Sequence, residues 1–251
     1  MNILDNAPLL EVRGVSKSFG GNTIIKNINL TLNEGELVCL LGQSGTGKST
    51  LFHVIAGLYM PDEGQVLLRG EEITGKPGKI SYMLQKDLLF PHLTILDNTA
   101  LGLLIRGEKK ADARAKAAKE FSKFGLEGCE KRYPVQLSGG MCQRAALLRT
   151  YLASQGIALL DEPFSALDTL TKSAMHRWYL NVMREISLST LFITHDIDEA
   201  VLLSDRVYIM GNNPGEITTE IRIDSPKPRP DDFTLTEEFL QYKRLLVEKL
   251  R

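Results

Sequence analysis

Apolar residues fall at β-forming positions over residues 10–13 and 24–32, where Ile24, Ile25, Ile28, Leu30 and Leu32 lie, and Gly20-Gly21-Asn22 between the two stretches reads as a turn. This pattern predicts an antiparallel pair. Leu37-Val38-Cys39-Leu40-Leu41 is instead a continuous apolar run, as expected for a strand buried on both faces. Ser49 to Gly57 then predicts a helix that the glycine closes. Gln65–Arg69 and Ile80–Leu84 predict two further strands.

From about Asp87 to Ala153 the strand pattern gives way to helical spacing, over Leu96–Arg106 and over Lys109–Phe124 with Ala117, Phe121 and Phe124 on one side. Alternation then resumes: strand Ile157–Leu160, helix Thr169–Ile186, strand Leu191–Thr194, helix Asp196–Leu203, strand Val207–Met210. Such alternation implies a largely parallel sheet with helices on its faces. The predicted organisation is an α/β core over residues 9–86 and 154–225, with a helical insertion at 87–153. Residues 226–251 follow as linker and C-terminal helix. The Ser225–Pro230 segment predicts a stiff linker, and Thr234 with Glu237 predicts a capping box for the last helix, whose Phe239, Tyr242, Leu246 and Leu250 share a face.

Composition narrows the class. With 251 residues, 43% hydrophobic and 24% charged, the chain fits one large soluble domain, or a domain with a sizeable subdomain. Its 30 Lys and Arg nearly cancel its 31 Asp and Glu, so no bulk charge directs it to nucleic acid or anionic lipid. Cys39, Cys129 and Cys142 form no C-x-x-C pair, which fits a reducing compartment. No secretory pattern opens the sequence, and no apolar run reaches the roughly 18–20 residues of a membrane helix. A cytosolic chain that cannot cross a membrane by itself is expected.

Gly42-Gln43-Ser44-Gly45-Thr46-Gly47-Lys48-Ser49 follows a buried strand and opens a helix. Glycines at this spacing let backbone N–H groups wrap β- and γ-phosphates, and the helix N-terminus adds a favourable field. Lys48 offers the phosphates a mobile cation and Ser49 offers Mg²⁺ a hydroxyl. The apolar Ile157–Leu160 run ends in Asp161 and Glu162. Adjacent carboxylates repel, and a cation resolves that cost. Asp161 is the expected carboxylate on the Mg²⁺ side, and Glu162 the expected base or orienter of the attacking water. His195 ends another apolar strand at the same sheet edge, where it is suited to donate to a γ-phosphate. Gln85 closes the Ile80–Leu84 run and is a candidate for the metal or the water. Taken singly, these strand-end groups are ordinary polar caps. The phosphate loop is what favours a functional reading.

Val135–Ala145 holds a second element of the same kind, in which Ser138, Gly139 and Gly140 precede a helical run. A plain N-capped helix accounts for Ser138 but not for the second glycine, which weakens a helix start. Taken in order, these segments resemble the ATPase subunit of ATP-binding-cassette (ABC) transporters over about residues 9–225. Gly42–Thr50 matches the Walker A loop, which adds Thr50 to the nucleotide contacts. Gln85 matches the Q-loop, Leu137–Met141 the signature, Ile157–Glu162 the Walker B strand, Ser165–Asp168 the D-loop, and His195 the switch histidine. Phe19 stands where the family carries an adenine-stacking aromatic, usually tyrosine.

The resemblance implies a P-loop NTPase (RecA-like) core with an N-terminal antiparallel β subdomain and an inserted α-helical subdomain. It also implies ATP and Mg²⁺ as cofactors, with Ser49, Gln85 and Asp161 toward the metal and Lys48, Gln85, Glu162 and His195 as the catalytic set. Two copies are expected to dimerise head to tail, so that Ser138, Gly139 and Gly140 of one cover the ATP on the other's Walker A loop. That would explain two phosphate-binding elements in one chain. Met141 replaces the usual signature glutamine and Phe19 lacks a hydroxyl, but neither change removes a phosphate contact or the stacking face.

Leu203–Met210, Asn213–Ile217 and the Pro/Arg-bearing tail resemble the nitrate/sulfonate/taurine-type importer branch, which also handles pyrimidine thiamine precursors. The partners so implied are a second copy, transmembrane permease subunits and, indirectly, a solute-binding protein, with no nucleic acid. The chain would sit on the cytoplasmic face of the membrane. Leu88, Leu89, Phe90 and Leu93 crowd an unpatterned loop that is expected to dock a cytoplasmic permease helix. A chromosome-maintenance ATPase would need a long coiled coil between the two phosphate elements, where only about ninety residues without heptads intervene. A small-molecule P-loop kinase would lack the signature.

Overall fold

The first sheet begins with β1 (Leu10–Phe19) and β2 (Asn22–Leu32), antiparallel and joined at Gly20 and Gly21. Those glycines have φ of 57° and 83°, a region that side chains disfavour, which is why this turn carries them. The structure is a computed structural model that describes residues 7–165, 169–227, 229–230 and 232–250. β3 (Leu37–Leu41) is buried along its whole length, as the unbroken apolar run predicts. α1 (Lys48–Ile55) buries Leu51, Phe52, Val54 and Ile55, and Gly57 closes it at φ 74°. β4 (Glu63–Leu68) pairs antiparallel with β1, and the two-residue β5 (Glu71–Glu72) pairs with β4. The result is a four-stranded antiparallel sheet in the order β2-β1-β4-β5.

Ser81–Ser187 form a compact unit of their own; the first unit comprises the residues up to Ile80 and those from Leu188. In this second unit β6 (Ser81–Met83) precedes three helices, α2 (Ile95–Ile105), α3 (Lys110–Glu120) and α4 (Gly139–Ala153). Ala100, Leu103, Ala113 and Ala117 form their shared core, with Leu96, Leu104 and Leu152 packed against it. α2 and α4 approach so closely at Gly102 that a Cβ there would lie 2.5 Å from that of Ala153. Phe121 and Phe124 are buried as their spacing predicts, although α3 stops at Glu120 and they follow in turns. β7 (Ile157–Asp161) pairs parallel with β6, and α5 (Thr169–Ile186) buries Met175, Tyr179, Val182 and Met183 at helical spacing.

The chain returns to the first unit at β8 (Ser189–Thr194), followed by α6 (Ile197–Leu203), β9 (Arg206–Gly211), β10 (Glu216–Arg222) and α7 (Glu237–Lys249). β3 lies between β8 and β9, parallel to both, and β10 runs antiparallel to β9. Arg206 joins these strands: its guanidinium reaches Glu36, the Thr31 carbonyl and Glu220. The paired carboxylates outweigh burial and raise its pKa, so its charge is permanent.

Three features depart from the expectations. β10 has no counterpart among the predicted strands. The Pro-bearing tail is not a free spacer, because Ser225 and Arg229 are buried against the fold. Arg229 donates to the carbonyls of Val201, Leu202 and Ser204 at the end of α6, and Lys227 pairs with Asp205 at 2.8 Å. The final helix is capped by Thr236, whose hydroxyl accepts from the Phe239 amide, and not by Thr234. Thr234 sits in a 3₁₀ turn formed as Phe233 buries its ring against Phe239. Among the described residues, no helix is long and apolar enough to cross a membrane.

Candidate functional site

The phosphate loop, Gly42 to Ser49, leaves β3 and opens α1. Lys48 is buried, and its ammonium donates to the loop's own Gly42 and Gln43 carbonyls at 2.8 and 2.7 Å. The cation is thus held beneath a loop whose Gln43, Ser44 and Gly45 face solvent. Thr46 Oγ1 donates to the Gln43 carbonyl at 3.0 Å and tightens the turn. Gly45 and Gly47 have φ of 84° and 93°, and at Gly47 a Cβ would lie 2.6 Å from the Ile25 side chain. Gly47 is the N-cap of α1 and gives it no side-chain cap. The amides of the first turn therefore point toward the exposed loop and Ser49, an arrangement suited to phosphate oxygens. Thr50 follows in the same turn, half-buried.

Strand register places His195 beside this loop. Leu41 of β3 pairs with Thr194 of β8, so Gly42 and His195 leave neighbouring parallel strands at one level. The residues flanking His195 are anchored. Thr194 Oγ1 bonds the Glu199 carboxylate and accepts from the Asp196 amide, while Asp196 caps α6 by accepting from the amides of Asp198 and Glu199.

Phe19 ends β1 with its ring 44% exposed, so a face remains for stacking. Tyr59 meets it edge-on at 5.3 Å, and the Lys17 ammonium lies 5.3 Å from its centroid. Asp62 accepts from Lys17 and from the Ser18 amide. The Lys17 bond first, and the Ser18 bond next, hold its carboxyl below the usual range. Sequence reasoning missed both Tyr59 and Asp62, because neither adjoins Phe19 in the chain.

In the second unit Met83 pairs with Leu160, so Gln85 and Glu162 also leave parallel strands at one level. Gln85 Nε2 donates to Glu162 Oε2 at 2.9 Å. Glu162 has φ 46°, a left-handed conformation rare outside glycine, and its carbonyl is held by the amide and hydroxyl of Ser165. Asp161 is buried and accepts from the Tyr82 hydroxyl at 3.1 Å. Tyr82 is not among the residues the sequence singles out; its place in β6, three positions before Gln85, is the available signal. The matched D-loop residues Ala166, Leu167 and Asp168 lie outside the described residues, and Ser165 alone of that stretch is described.

Ser138 is the N-cap of α4 and accepts from the Met141 amide at 3.4 Å. A Cβ added at Gly139 would meet nothing within 4 Å. The chain's own packing therefore does not require that glycine, and the exposed helix start is open to an outside group. Elsewhere in this unit, the 85–94 loop is tied to the helices by side-chain hydrogen bonds. Arg149 donates to the carbonyls of Asp87 and Leu88, and Asn98 bonds Phe90, Leu93 and Thr94. Leu88 and Phe90 remain exposed, whereas Leu89 is buried. The expectation that Leu89 faces a partner is thus corrected: its side chain packs inward.

Taken one by one, Ser49, Gln85 and Asp161 are oxygen donors of the kind a hard cation such as Mg²⁺ takes, a cation that binds few protein groups and keeps water or phosphate oxygens. Among the described residues, no cluster of three or more His, Cys, Asp or Glu could hold a metal unaided.

An ABC transporter family model matches residues 25–165. The formylaminopyrimidine import ATP-binding protein ThiZ of Halalkalibacterium halodurans is 43% identical over 244 residues, covering 97% of this chain and 95% of that protein. The aliphatic sulfonates import ATP-binding protein SsuB of Bacillus cereus is 38% identical over 244 residues, covering 96% and 95%. Among solved structures, the dimeric cassette MJ0796, a bacterial ABC transporter cassette, superposes with a TM-score of 0.73 at 29% identity, over 86% of this chain and all of that one. The same cassette is also known as a post-hydrolysis dimer bound to ADP and Pi, with the same score and coverage.

Proposed function

The chain belongs to the ABC transporter family as an ATP-binding, ATP-hydrolysing subunit, and from that premise we propose that it powers the import of a small solute through partner membrane subunits. The observation that carries this reading is the Lys48 ammonium held under an exposed phosphate loop by that loop's own carbonyls. Phosphate oxygens are the natural ligands to take over such a cation, and ATP brings them. Phe19 stacks the adenine, the loop through Thr50 holds the phosphates, and Ser138, Gly139 and Gly140 close over an ATP held by a second, head-to-tail copy. His195 donates to the γ-phosphate. Glu162, held in position by Gln85, orients and deprotonates the attacking water.

Mg²⁺ would be held by Ser49, Gln85 and Asp161, and when bound it would neutralise charge developing on the phosphates. Residues 87–153 serve as the helical insertion within the ATPase domain of residues 9–225. The 85–94 loop that leads into them presents exposed Leu88 and Phe90 to a permease helix on the cytoplasmic face. Relatives named for the import of formylaminopyrimidine, aliphatic sulfonates and nitrate support a cargo of the nitrate/sulfonate/taurine type or a pyrimidine thiamine precursor, delivered by a solute-binding protein. Another small solute is the alternative.

Purified protein tests this through ATP binding and turnover. Lys48→Ala is expected to lose ATP binding, whereas Glu162→Gln is expected to bind MgATP with turnover reduced about 10²–10⁴-fold, the range of a lost general base. Wild-type turnover in Glu162→Gln would remove that residue from its proposed role.

A further inference from the structure

Gly42 and Gly215 of the first unit lack the positive φ that would demand a glycine, so no turn requires them. Gly42 opens the phosphate loop, and a Cβ there would collide with the Met210 carbonyl at the end of β9. Gly215 precedes β10, and a Cβ there would lie far inside the 3.0 Å that real Cβ atoms keep from another heavy atom, against the Thr46 carbonyl of the same loop. Gly215 is itself held from the other side. Its amide donates to the Ile24 carbonyl at 2.8 Å, and its carbonyl accepts from the Lys26 amide at 2.9 Å. Gly47, at the far end of the loop, rests on the side chains of Ile24 and Ile25. Three main-chain segments, β2 at Ile24–Lys26, the phosphate loop and the connection into β10, therefore meet with no side chain at Gly42 or Gly215 to separate them.

From this geometry we infer that Gly215 is a positioning residue for the ATP phosphates, acting through the carbonyl of Thr46. The inference rests on the reading of Gly42–Ser49 as the ATP loop. Thr46 lies between the loop glycines, so its peptide plane sets the direction of the neighbouring amides toward the phosphates. A side chain at 215 must push against that carbonyl, and β2 prevents Gly215 from retreating. The loop must move instead, which costs phosphate contacts while leaving the groups of the hydrolytic step unchanged. The Met210 Cε atom also lies 2.6 Å from the added Cβ, but that flexible side chain can turn away, whereas a carbonyl fixed in the loop cannot.

The full-length protein supplies the test, with a fluorescent ATP analogue for affinity and phosphate release for turnover. Gly215→Ala is expected to weaken nucleotide binding about tenfold or more and to raise KM, with turnover at saturating ATP falling much less. Gly211→Ala, in the same hairpin, is the internal control: its Cβ would meet Thr218 Cγ2 at 3.4 Å, an ordinary contact, so affinity should stay within about twofold. Adding Met210→Ala to Gly215→Ala should not restore affinity. Restoration would overturn the route through Thr46, and wild-type affinity in Gly215→Ala would overturn the proposal itself. Lys48→Ala serves as reference. If it loses affinity and Gly215→Ala does not, only the role of Gly215 fails; if neither does, the assignment of the loop to ATP fails and this role with it. Should Gly215→Ala not fold, hydrogen exchange on the wild type decides: ATP should slow exchange at 212–216 together with 42–49. Protection of the loop alone would overturn the inference.

Discussion

The Gln85 side-chain amide donates to the Glu162 carboxylate at 2.9 Å, joining the ends of two adjacent parallel strands. A strand-end carboxylate in a left-handed conformation thus has its orientation set by a neighbour 77 positions away. Gln85→Leu keeps much of the volume and removes the donor. Turnover with MgATP is expected to fall about tenfold or more while affinity for metal-free ATP stays nearly unchanged, because Glu162 loses its support and the proposed metal contact is lost while the Gly42–Ser49 loop is untouched. Equal loss of binding and turnover would show that Gln85 acts elsewhere.

The two elements proposed to bind phosphate, Gly42–Ser49 and Ser138–Gly140, should complement each other between copies. Lys48→Ala and Ser138→Arg homodimers are each expected to be unable to dimerise on ATP, since both composite sites then carry a lesion. In the mixed dimer, both lesions fall in one site and the other pairs an intact Lys48 with an intact Ser138. Mixing should restore ATP-dependent dimerisation on size exclusion. No rescue between folded, exchanging variants would exclude the head-to-tail arrangement.

Loop geometry decides where a permease would be captured. Cysteine placed at Leu88 or Phe90 is expected to crosslink to a membrane subunit, whereas cysteine at the buried Leu89 is not. Efficient capture from position 89 alone would contradict the observed direction of that side chain.

Arg229 carries a structural load. Its guanidinium bonds three carbonyls at the end of α6 and lies over the Phe233 ring at 5.4 Å. Arg229→Ala leaves those carbonyls without this donor and should cost about 2–4 kcal/mol in urea unfolding. Lysine should recover only part, lacking the planar fork. A change within about 0.5 kcal/mol would mean that the tail contributes little.

The three thiols are buried, and burial raises the pKa of Cys39 strongly and that of Cys142 as well. Since thiolate is the reactive form, native protein at about pH 8 should resist a thiol-exchange reagent until it unfolds. Rapid native labelling would show local opening of β3, of α4 or of the segment around Cys129.

The sequence by itself determined the features that depend on neighbours along the chain. Glycine spacing around Lys48, a serine ahead of two glycines at a helix start, and carboxylates ending an apolar run are all local requirements, so they are written locally. The strand-helix alternation was legible for the same reason, since burial on one or both faces sets a short period. Tertiary structure alone decided what depends on register and close approach. The pairs Leu41–Thr194 and Met83–Leu160 bring His195 to the phosphate loop and Gln85 to Glu162, and strand register leaves no mark at either residue. β10 went unseen because its edge position buries little, and the proline tail read as a spacer because Arg229's carbonyl partners lie more than twenty residues away. Gly42 and Gly215 are the sharpest case: lacking a positive φ, each is required only by a carbonyl more than 160 residues distant, a steric demand that no local pattern can express.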